Sequence, residues 1–366
     1  MEDLVSVLDF EKRAFETLPR TVLDYYRSGA GKQETLRENR KSFNKFKLRP
    51  RCLRNVEERD LSTVVLGEKV SMPIGIAPTA MQKMAHTQGE CANARAAESL
   101  GTIFTLSTLS TSSIEEVAKA APNAVKWYQL YIYKDRNVTR DLVSRAERAG
   151  FKALVLTVDA PVFGLRLADL KNKFSLPDHL SLANFRGIKA TGIRNSGVGS
   201  GLNNYVNGLF DSTITWDDVK WLRSITSLPI VLKGIMTAED ALLAVEAGVA
   251  AVQVSNHGAR QIDGTAASIE ALSEIVQAVG GKVEVYVDGG ITDGVDVLKA
   301  LALGAKMAFV GRAALWGLVC GGREGVEKVL GILKNELSTA MAIAGFSRVG
   351  DLERNLVVHE GYYSKM

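Results

Sequence analysis

Cysteine and histidine are scarce in this chain. Its 366 residues include three cysteines (Cys52, Cys91 and Cys320) and four histidines (His86, His179, His257 and His359). No CxxC occurs, and a structural zinc site needs four close-set nitrogen or sulfur ligands, so no metal site is expected. Three cysteines far apart in sequence build no disulfide framework, which fits a reducing compartment. A dominant charge is lacking as well. Lys plus Arg number 45 against 41 Asp plus Glu, a formal net charge of +4, which is too small an excess to argue for a nucleic-acid partner. No run of about 18 apolar residues occurs, so no membrane-spanning helix is expected. The opening MEDLVSVLDFEKRAFETLPR carries charges throughout and lacks the apolar core of a secretory signal.

One local charge cluster stands out. Residues 37–54 hold eight basic side chains and one acidic one, Glu38. The basic residues alternate with Phe43, Phe46 and Leu48, which reads as a solvated face over an apolar one rather than a polyanion site.

Short strand-forming runs then recur. They are MPIGIAPT (72–79), TIFTLST (102–108), KWYQLYI (126–132), ALVLTVDAP (153–161), PIVLKG (229–234), AAVQVSN (250–256), VEVYVDGG (283–290) and AKMAFVGR (305–312). Most are continuously apolar, the mark of parallel strands buried on both faces. Helical patterns lie between them. GECANARAAESLG (89–101) ends on a glycine suited to a C-cap, Thr237 precedes an acidic first turn as an N-cap, and Asn137 opens a similar pattern. Eight alternations predict a (β/α)8 barrel over 71–345. A doubly wound open sheet is the competitor, and no GxGxxG follows an early strand to support it. Residues 1–60 read as a preface of short helices punctuated by Leu18-Pro19 and Ser28-Gly29, and a last helix is expected from about Gly322 to Ala344. The fourth strand-to-strand connection is long, and GIRNSGVGSGLNN (192–204) makes 162–215 read as a mobile loop region. The whole chain, 1–366, reads as one domain.

In such a barrel the chemistry gathers at the C-terminal strand ends. These ends carry Thr79 and Ala80; Ser107 and Leu109; Gln129 and Tyr131; Thr157 and Asp159, with Arg166 beyond; Lys233; SNHGARQ (255–261); Asp288 to Gly290; and Gly311-Arg312. The last two ends suit a phosphate, because glycines let backbone N–H groups approach it and Arg312 adds a charged fork. His257 can do acid–base work near neutral pH. Arg166 and Arg260 can clamp a carboxylate from two sides. Lys233 can form a Schiff base or hold a negative charge on a cofactor, and its position alone does not choose.

These strand ends, in this order, resemble the FMN-dependent 2-hydroxy acid oxidase family, the glycolate oxidases and their animal hydroxyacid oxidase counterparts above all. The resemblance spans nearly the whole chain, through LPRTVLDYYRSGA (18–30), ENR…LRPR (38–51), SMPIGIAPTAMQKMAH (71–86), QLYIYKDR (129–136), LTVDAP (156–161), ITSLPIVLKGI (225–235), VSNHGARQ (254–261) and DVLKALALGAK (296–306). It implies FMN as cofactor, a small 2-hydroxy acid such as glycolate or L-lactate as substrate, and O2 as electron acceptor. It also implies a homotetramer, and no nucleic-acid or membrane partner. His257 would be the base and Asp159 would orient it. Arg166, Arg260 and Tyr25 would bind the substrate carboxylate, and Tyr131 the hydroxyl. Lys233 would lie near flavin N1 and O2. Thr79, Ala80, Ser107, Gln129 and Thr157 would meet the isoalloxazine. Ser255, Asp288, Gly290, Gly311 and Arg312 would hold the ribityl chain and phosphate. The ending Ser364-Lys365-Met366 resembles the S-K-L peroxisomal address, and peroxide formation suits that compartment; otherwise a cytoplasmic location is expected.

Two departures carry information. Leu109 stands where glycolate oxidases usually have Trp, in STLSTSS against SSWATSS, and should leave more room beside the substrate. Thr292, in GGITDG, stands where the family often has Arg, which removes one cation from the phosphate end unless Arg312 compensates. The competing functions are a dehydrogenase passing electrons to a quinone or cytochrome, a lyase working through a Lys233 Schiff base, and a barrel that binds flavin without turnover. No CxxCH and no preceding haem domain support the first.

Overall fold

Continuous apolar runs bury well only when both faces of a strand are covered, and a closed barrel does this for every strand at once. The computed structural model describes residues 1–185 and 200–365. Its eight parallel barrel strands are β1 (Ile74–Ile76), β2 (Ile103–Leu106), β3 (Val125–Leu130), β4 (Ala153–Thr157), β5 (Ile230–Ile235), β6 (Ala251–Val254), β7 (Glu284–Asp288) and β8 (Met307–Val310). They pair in sequence order, and β8 returns to β1, Ala308 opposite Ile74, to close the ring. Each strand overlaps one of the eight runs expected.

The barrel is filled, not hollow. Trp127 lies 5.5 Å from Tyr286 and 5.4 Å from Phe309, centroid to centroid. Val155, Val231 and Met307 pack around these rings. A short antiparallel hairpin, Thr63–Val65 with Glu68–Val70, inserts Val65 and Val70 into the same cluster and plugs the end where the strands begin. Ligands are therefore confined to the opposite, C-terminal mouth. A second small ladder pairs Phe46–Leu48 with Val357–His359. Neither small sheet is legible in the sequence, since three-residue strands show too little alternation.

The helices begin and end for local reasons. Gly101 takes φ 63° to end Gly89–Leu100, and the Thr237 hydroxyl accepts from the Asp240 N–H at 3.3 Å to start Ala238–Glu246. The pattern at Asn137 starts earlier than expected: Asp135 is the cap, its carboxylate accepting from the Asn137 N–H at 2.9 Å. The last helix begins at Arg312, directly after β8, and runs to Ala344. Gly321 and Gly322 leave helical geometry, so the expected segment is its second half. Among the described residues no helix is long and apolar enough to cross a membrane.

The N-terminal preface forms α1 (Val7–Thr17), α2 (Arg20–Arg27) and α3 (Glu34–Lys41). Phe15 of α1 meets Trp316 of the last helix edge-on at 5.5 Å. In α2, the Tyr26 hydroxyl donates to the Met81 carbonyl at 2.9 Å, which ties the helix across the mouth of the barrel. The basic stretch is largely spoken for: Arg40 pairs with Glu11, Lys45 with Glu270, and Arg54 lies over the Phe346 ring.

The fourth connection differs from the mobile loop expected over 162–215. It holds helices Leu167–Lys171 and Gly201–Leu209, and it buries Phe174, Leu182, Phe185, Leu202 and Val206. The apolar residues are spaced too irregularly to show a period, yet these five pack, while Val162, Leu165 and Leu167 stay exposed. Gly201 to Asn204, read with the glycine-rich loop, open a helix instead. The remainder of that glycine-rich text up to Gly199 lies outside the described residues.

Candidate active site

The site is organised by the turn that follows β6. His257, Gly258 and Ala259 all adopt left-handed backbone, with φ of 59°, 61° and 62°. Such a conformation costs about 1–2 kcal/mol for each non-glycine residue, so the surroundings must hold it. The Asn256 side chain accepts from the Ala259 N–H at 3.1 Å, and the Ser255 hydroxyl accepts from the His257 N–H at 3.0 Å. The outgoing carbonyls are all taken. Gly258 accepts from Arg312 at 3.0 Å, Ala259 from the Ala30 N–H at 2.8 Å, and Arg260 from Arg166 Nε at 3.1 Å. Gly164 permits the last approach, since any Cβ there would run into the Arg260 carbonyl.

This turn sets the His257 ring against β4. Its Nδ1 lies 2.8 Å from Asp159 Oδ1, leaving Nε2 for the cleft. Burial pushes the imidazole below its usual 6.5, while the Asp159 charge works against that shift. Asp159 itself is penalised by burial, but the His257 imidazole and the Lys233 ammonium hold its carboxyl below the ordinary range. The pair is thus a neutral base beside a carboxylate at neutral pH.

Around it lies a cleft of about 1210 Å³, counted with its open mouth. Thr79, Ala80, Ser107, Leu109, Gln129 and Tyr131 line the side from β1 to β3. Thr157, Arg166, Lys233 and Arg260 continue the wall, with Tyr25 reaching in from α2. Asp288, Gly290, Gly311 and Arg312 line the end after β7 and β8. Of the residues expected in the site, only Asp159 and Ser255 do not line the cleft. Asp159 stands behind His257. Ser255 is buried, accepts from Lys233 Nζ at 2.8 Å and donates to Asp288 at 2.6 Å. It supports two residues that line the cleft.

The electrostatics are one-sided. Arg166, Arg260 and Arg312 form no salt bridge with a carboxylate among the described residues; their hydrogen bonds go to carbonyls and an amide. Arg166 donates to the Arg260 carbonyl and Gln261, and its guanidinium lies 3.9 Å over the Phe163 ring. Arg260 donates to the Tyr25 carbonyl at 2.7 Å and the Ser28 carbonyl at 3.1 Å, and lies over the Tyr25 ring at 4.9 Å. Arg312 donates to the carbonyls of Tyr26, Ser28 and Gly258 at 2.9–3.0 Å. Burial, then the neighbouring Arg260, brings both Arg166 and Arg312 down to about 9. They remain cations at neutral pH. Asp169 bears on Arg166 and Arg260 from nearby but bridges to neither. Cations held without a paired carboxylate are costly, so this cleft suits anions. Lys233 differs, since it lies 3.3 Å from Asp288. Its contacts are those of an ammonium donor, not of a free amine nucleophile.

The side of the cleft toward β1 to β4 is neutral. Gln129 donates to Thr157 at 3.0 Å and accepts from the Thr108 N–H at 3.1 Å, which fixes its amide. Tyr131 stacks on Phe210 at 4.4 Å, and Tyr25 on Phe174 at 4.4 Å. Burial raises both phenols above their usual value, so both stay protonated as donors. Sequence reasoning missed Phe163, Phe174 and Phe210, all from the fourth connection. It also missed Arg40 and Trp316, which line the phosphate-suited end. For Arg40, the signal was the basic stretch read as solvated.

Comparison with known proteins agrees with this arrangement. The FMN-dependent dehydrogenase family model matches residues 14–359. The human protein 2-hydroxyacid oxidase 1 is 54% identical over 356 residues, covering 97% of this chain and 96% of the relative. Glycolate oxidase 1 of Oryza sativa subsp. japonica is 52% identical over 354 residues, covering 97% and 95%. A crystal structure of mandelate oxidase with (S)-4-hydroxymandelic acid superposes with a TM-score of 0.93 at 42% identity, covering 97% of this chain and 99% of that one. The turn after β6, the anion-seeking cleft and these matches lead to one assignment: the chain belongs to the FMN-dependent dehydrogenase family, with FMN as its cofactor.

Proposed function

We propose that this protein is an (S)-2-hydroxy-acid oxidase. It oxidises a small L-2-hydroxy acid, glycolate or L-lactate, to the 2-oxo acid, with O2 as acceptor and H2O2 as product. The observation that carries the reading is the His257–Asp159 pair facing a cleft with two guanidiniums free of carboxylate partners. The printed names of the relatives, glycolate oxidase and 2-hydroxyacid oxidase, support it.

The residues present fit FMN. At Gly290, φ is 83° and a Cβ would run into the Asn39 carbonyl, so backbone alone forms that wall. With Gly311 and Arg312 opposite, this end suits a phosphate. Thr79, Ala80, Ser107, Gln129 and Thr157 would meet the ring system, with Lys233 near its N1 and O2 edge. When bound, FMN supplies the hydride-equivalent acceptor and the route of electrons to O2. The protein supplies the rest. Arg166, Arg260 and the Tyr25 phenol hold the substrate carboxylate. The Tyr131 phenol bonds the 2-hydroxyl. His257 Nε2 receives the proton released as C2 is oxidised, and Asp159 steadies the imidazolium that results. Leu109 is buried and lines the cleft where a larger indole would crowd C3 of the substrate.

The tail Ser364-Lys365-Met366 supports import into peroxisomes, and the resemblance supports a homotetramer. Removing the last three residues should leave the protein in the cytosol, as read by microscopy of a tagged chain. Sedimentation of the purified protein should give four times the chain mass.

The purified protein should be yellow, bleach anaerobically with glycolate or L-lactate, and recolour in air. A protein that bleaches but recolours only with a quinone or cytochrome would instead be a dehydrogenase for that acceptor. His257→Ala should keep the colour and lose about 10²–10⁴-fold in bleaching rate. Because burial lowers His257, kcat/KM should fall only as pH drops below 6.5. Asp159 pulls that value up, so Asp159→Asn should move the acid limb to still lower pH while reducing the plateau. An unmoved limb would remove His257 as the titrating base. Leu109→Trp should shift the kcat/KM ratio of glycolate over L-lactate upward by about tenfold, the scale of a methylene in a tight pocket.

A further inference from the structure

Thr292 is poorly placed to replace a missing cation at the phosphate end. Its hydroxyl and its N–H both donate to Asp296 Oδ2, at 3.0 and 2.9 Å. Arg312 brings charge, but all three of its nitrogens are already tied to carbonyls. A phosphate monoester near neutral pH carries about −1.5 to −2, which one arginine does not neutralise.

A second cation stands at the same end. Arg40 lines the cleft together with Gly290, Thr292, Gly311 and Arg312. Its neighbour Asn39 is the residue pressed against Gly290, and Asn39 exchanges two hydrogen bonds with Asn256, at 2.9 and 2.7 Å. The end of α3 is thereby fixed beside the turn after β7. The positive charge of Arg40 also bears on Arg312. Arg40 is paired with Glu11 of α1, Nη1 to Oε2 at 2.9 Å and Nη2 to Oε1 at 2.5 Å. Its side chain is 45% exposed, and the Glu11 fork uses one N–H on each Nη of a guanidinium that carries five. Donors therefore remain for a charge-assisted bond to a phosphate while Glu11 keeps the group in place.

We propose that Arg40 is a ligand of the FMN phosphate in this chain, supplying from α3 the charge that Thr292 does not, with Glu11 holding it in position. This rests on the reading that the phosphate docks between Gly290 and the start of the last helix at Gly311-Arg312. The inference concerns a residue of the N-terminal preface, outside the barrel whose strand ends carry the other site residues.

The test compares FMN with riboflavin, which lacks the phosphate. FMN release from diluted holoenzyme is followed by recovery of flavin fluorescence, and protein refilled with riboflavin gives the matching Kd. Arg40→Ala should raise the FMN Kd by about tenfold, the scale of one charge-assisted hydrogen bond, and leave the riboflavin Kd unchanged. An equal loss for both ligands would mean that Arg40 only props α3, and no loss for either would mean that it touches nothing on the ligand; each overturns the proposal. Gly311→Asp separates this from the underlying reading. A Cβ there meets nothing closer than 3.7 Å, and aspartate suits a helix N-cap. Its carboxylate should weaken FMN but not riboflavin. If Gly311→Asp discriminates and Arg40→Ala does not, Arg40 alone is refuted. If neither discriminates, the phosphate docks elsewhere and both readings fall.

Discussion

The active end of this barrel depends on three consecutive left-handed residues, His257, Gly258 and Ala259. An extended exit from β6 would carry the chain away from the mouth. The left-handed run folds it back, so that His257 faces Asp159 and the next carbonyls point outward as acceptors. Those carbonyls then fix Arg312, Ala30 and Arg166. One backbone choice, held by Asn256, Ser255 and Asn39, sets His257, Arg166 and Arg312 together. The local strain of about 1–2 kcal/mol per non-glycine residue is spread over many hydrogen bonds, and none of them has to carry it alone.

The second constraint is electrostatic. One buried guanidinium, Arg166, and two half-buried ones, Arg260 and Arg312, meet carbonyls and aromatic faces where carboxylates would be the usual partners. Partial charges on carbonyls orient a guanidinium without cancelling it. The cleft therefore keeps its positive potential for whatever enters. A salt-bridged arrangement would be more comfortable for the empty protein and less attractive to an anion. His257 shows the same logic at smaller scale: burial favours the neutral ring, and Asp159 favours the charged one, so a proton can arrive without either state being prohibitive.

Much of this was legible in the sequence because barrel strands write themselves as apolar runs and because catalytic positions follow them directly. His257, Lys233, Gln129 and Arg312 were readable as strand-end residues. What was illegible depends on contacts between distant segments. Ser255 is tied beneath the cleft by Lys233 and Asp288, partners far away in sequence that its neighbours in SNHGARQ do not reveal. Phe163, Phe174 and Phe210 sit in a connection without a clear period, and only folding shows that they stack under Arg166, Tyr25 and Tyr131. Arg40 lay in a basic stretch whose other members pair elsewhere or face solvent. The hairpin that plugs the barrel floor was hidden by the shortness of its strands.

The carbonyls of Tyr26 and Ser28 have a consequence for the order in which the molecule can be completed. Ser28 accepts from both Arg260 and Arg312, and Tyr26 from Arg312. These residues are synthesised well before Arg260 and Arg312. The bonds to Arg260 can form once β6 has emerged, and those to Arg312 only after β8. The N-terminal preface is thus a clasp fastened in two stages, and a truncated product lacking β8 would leave it half fastened.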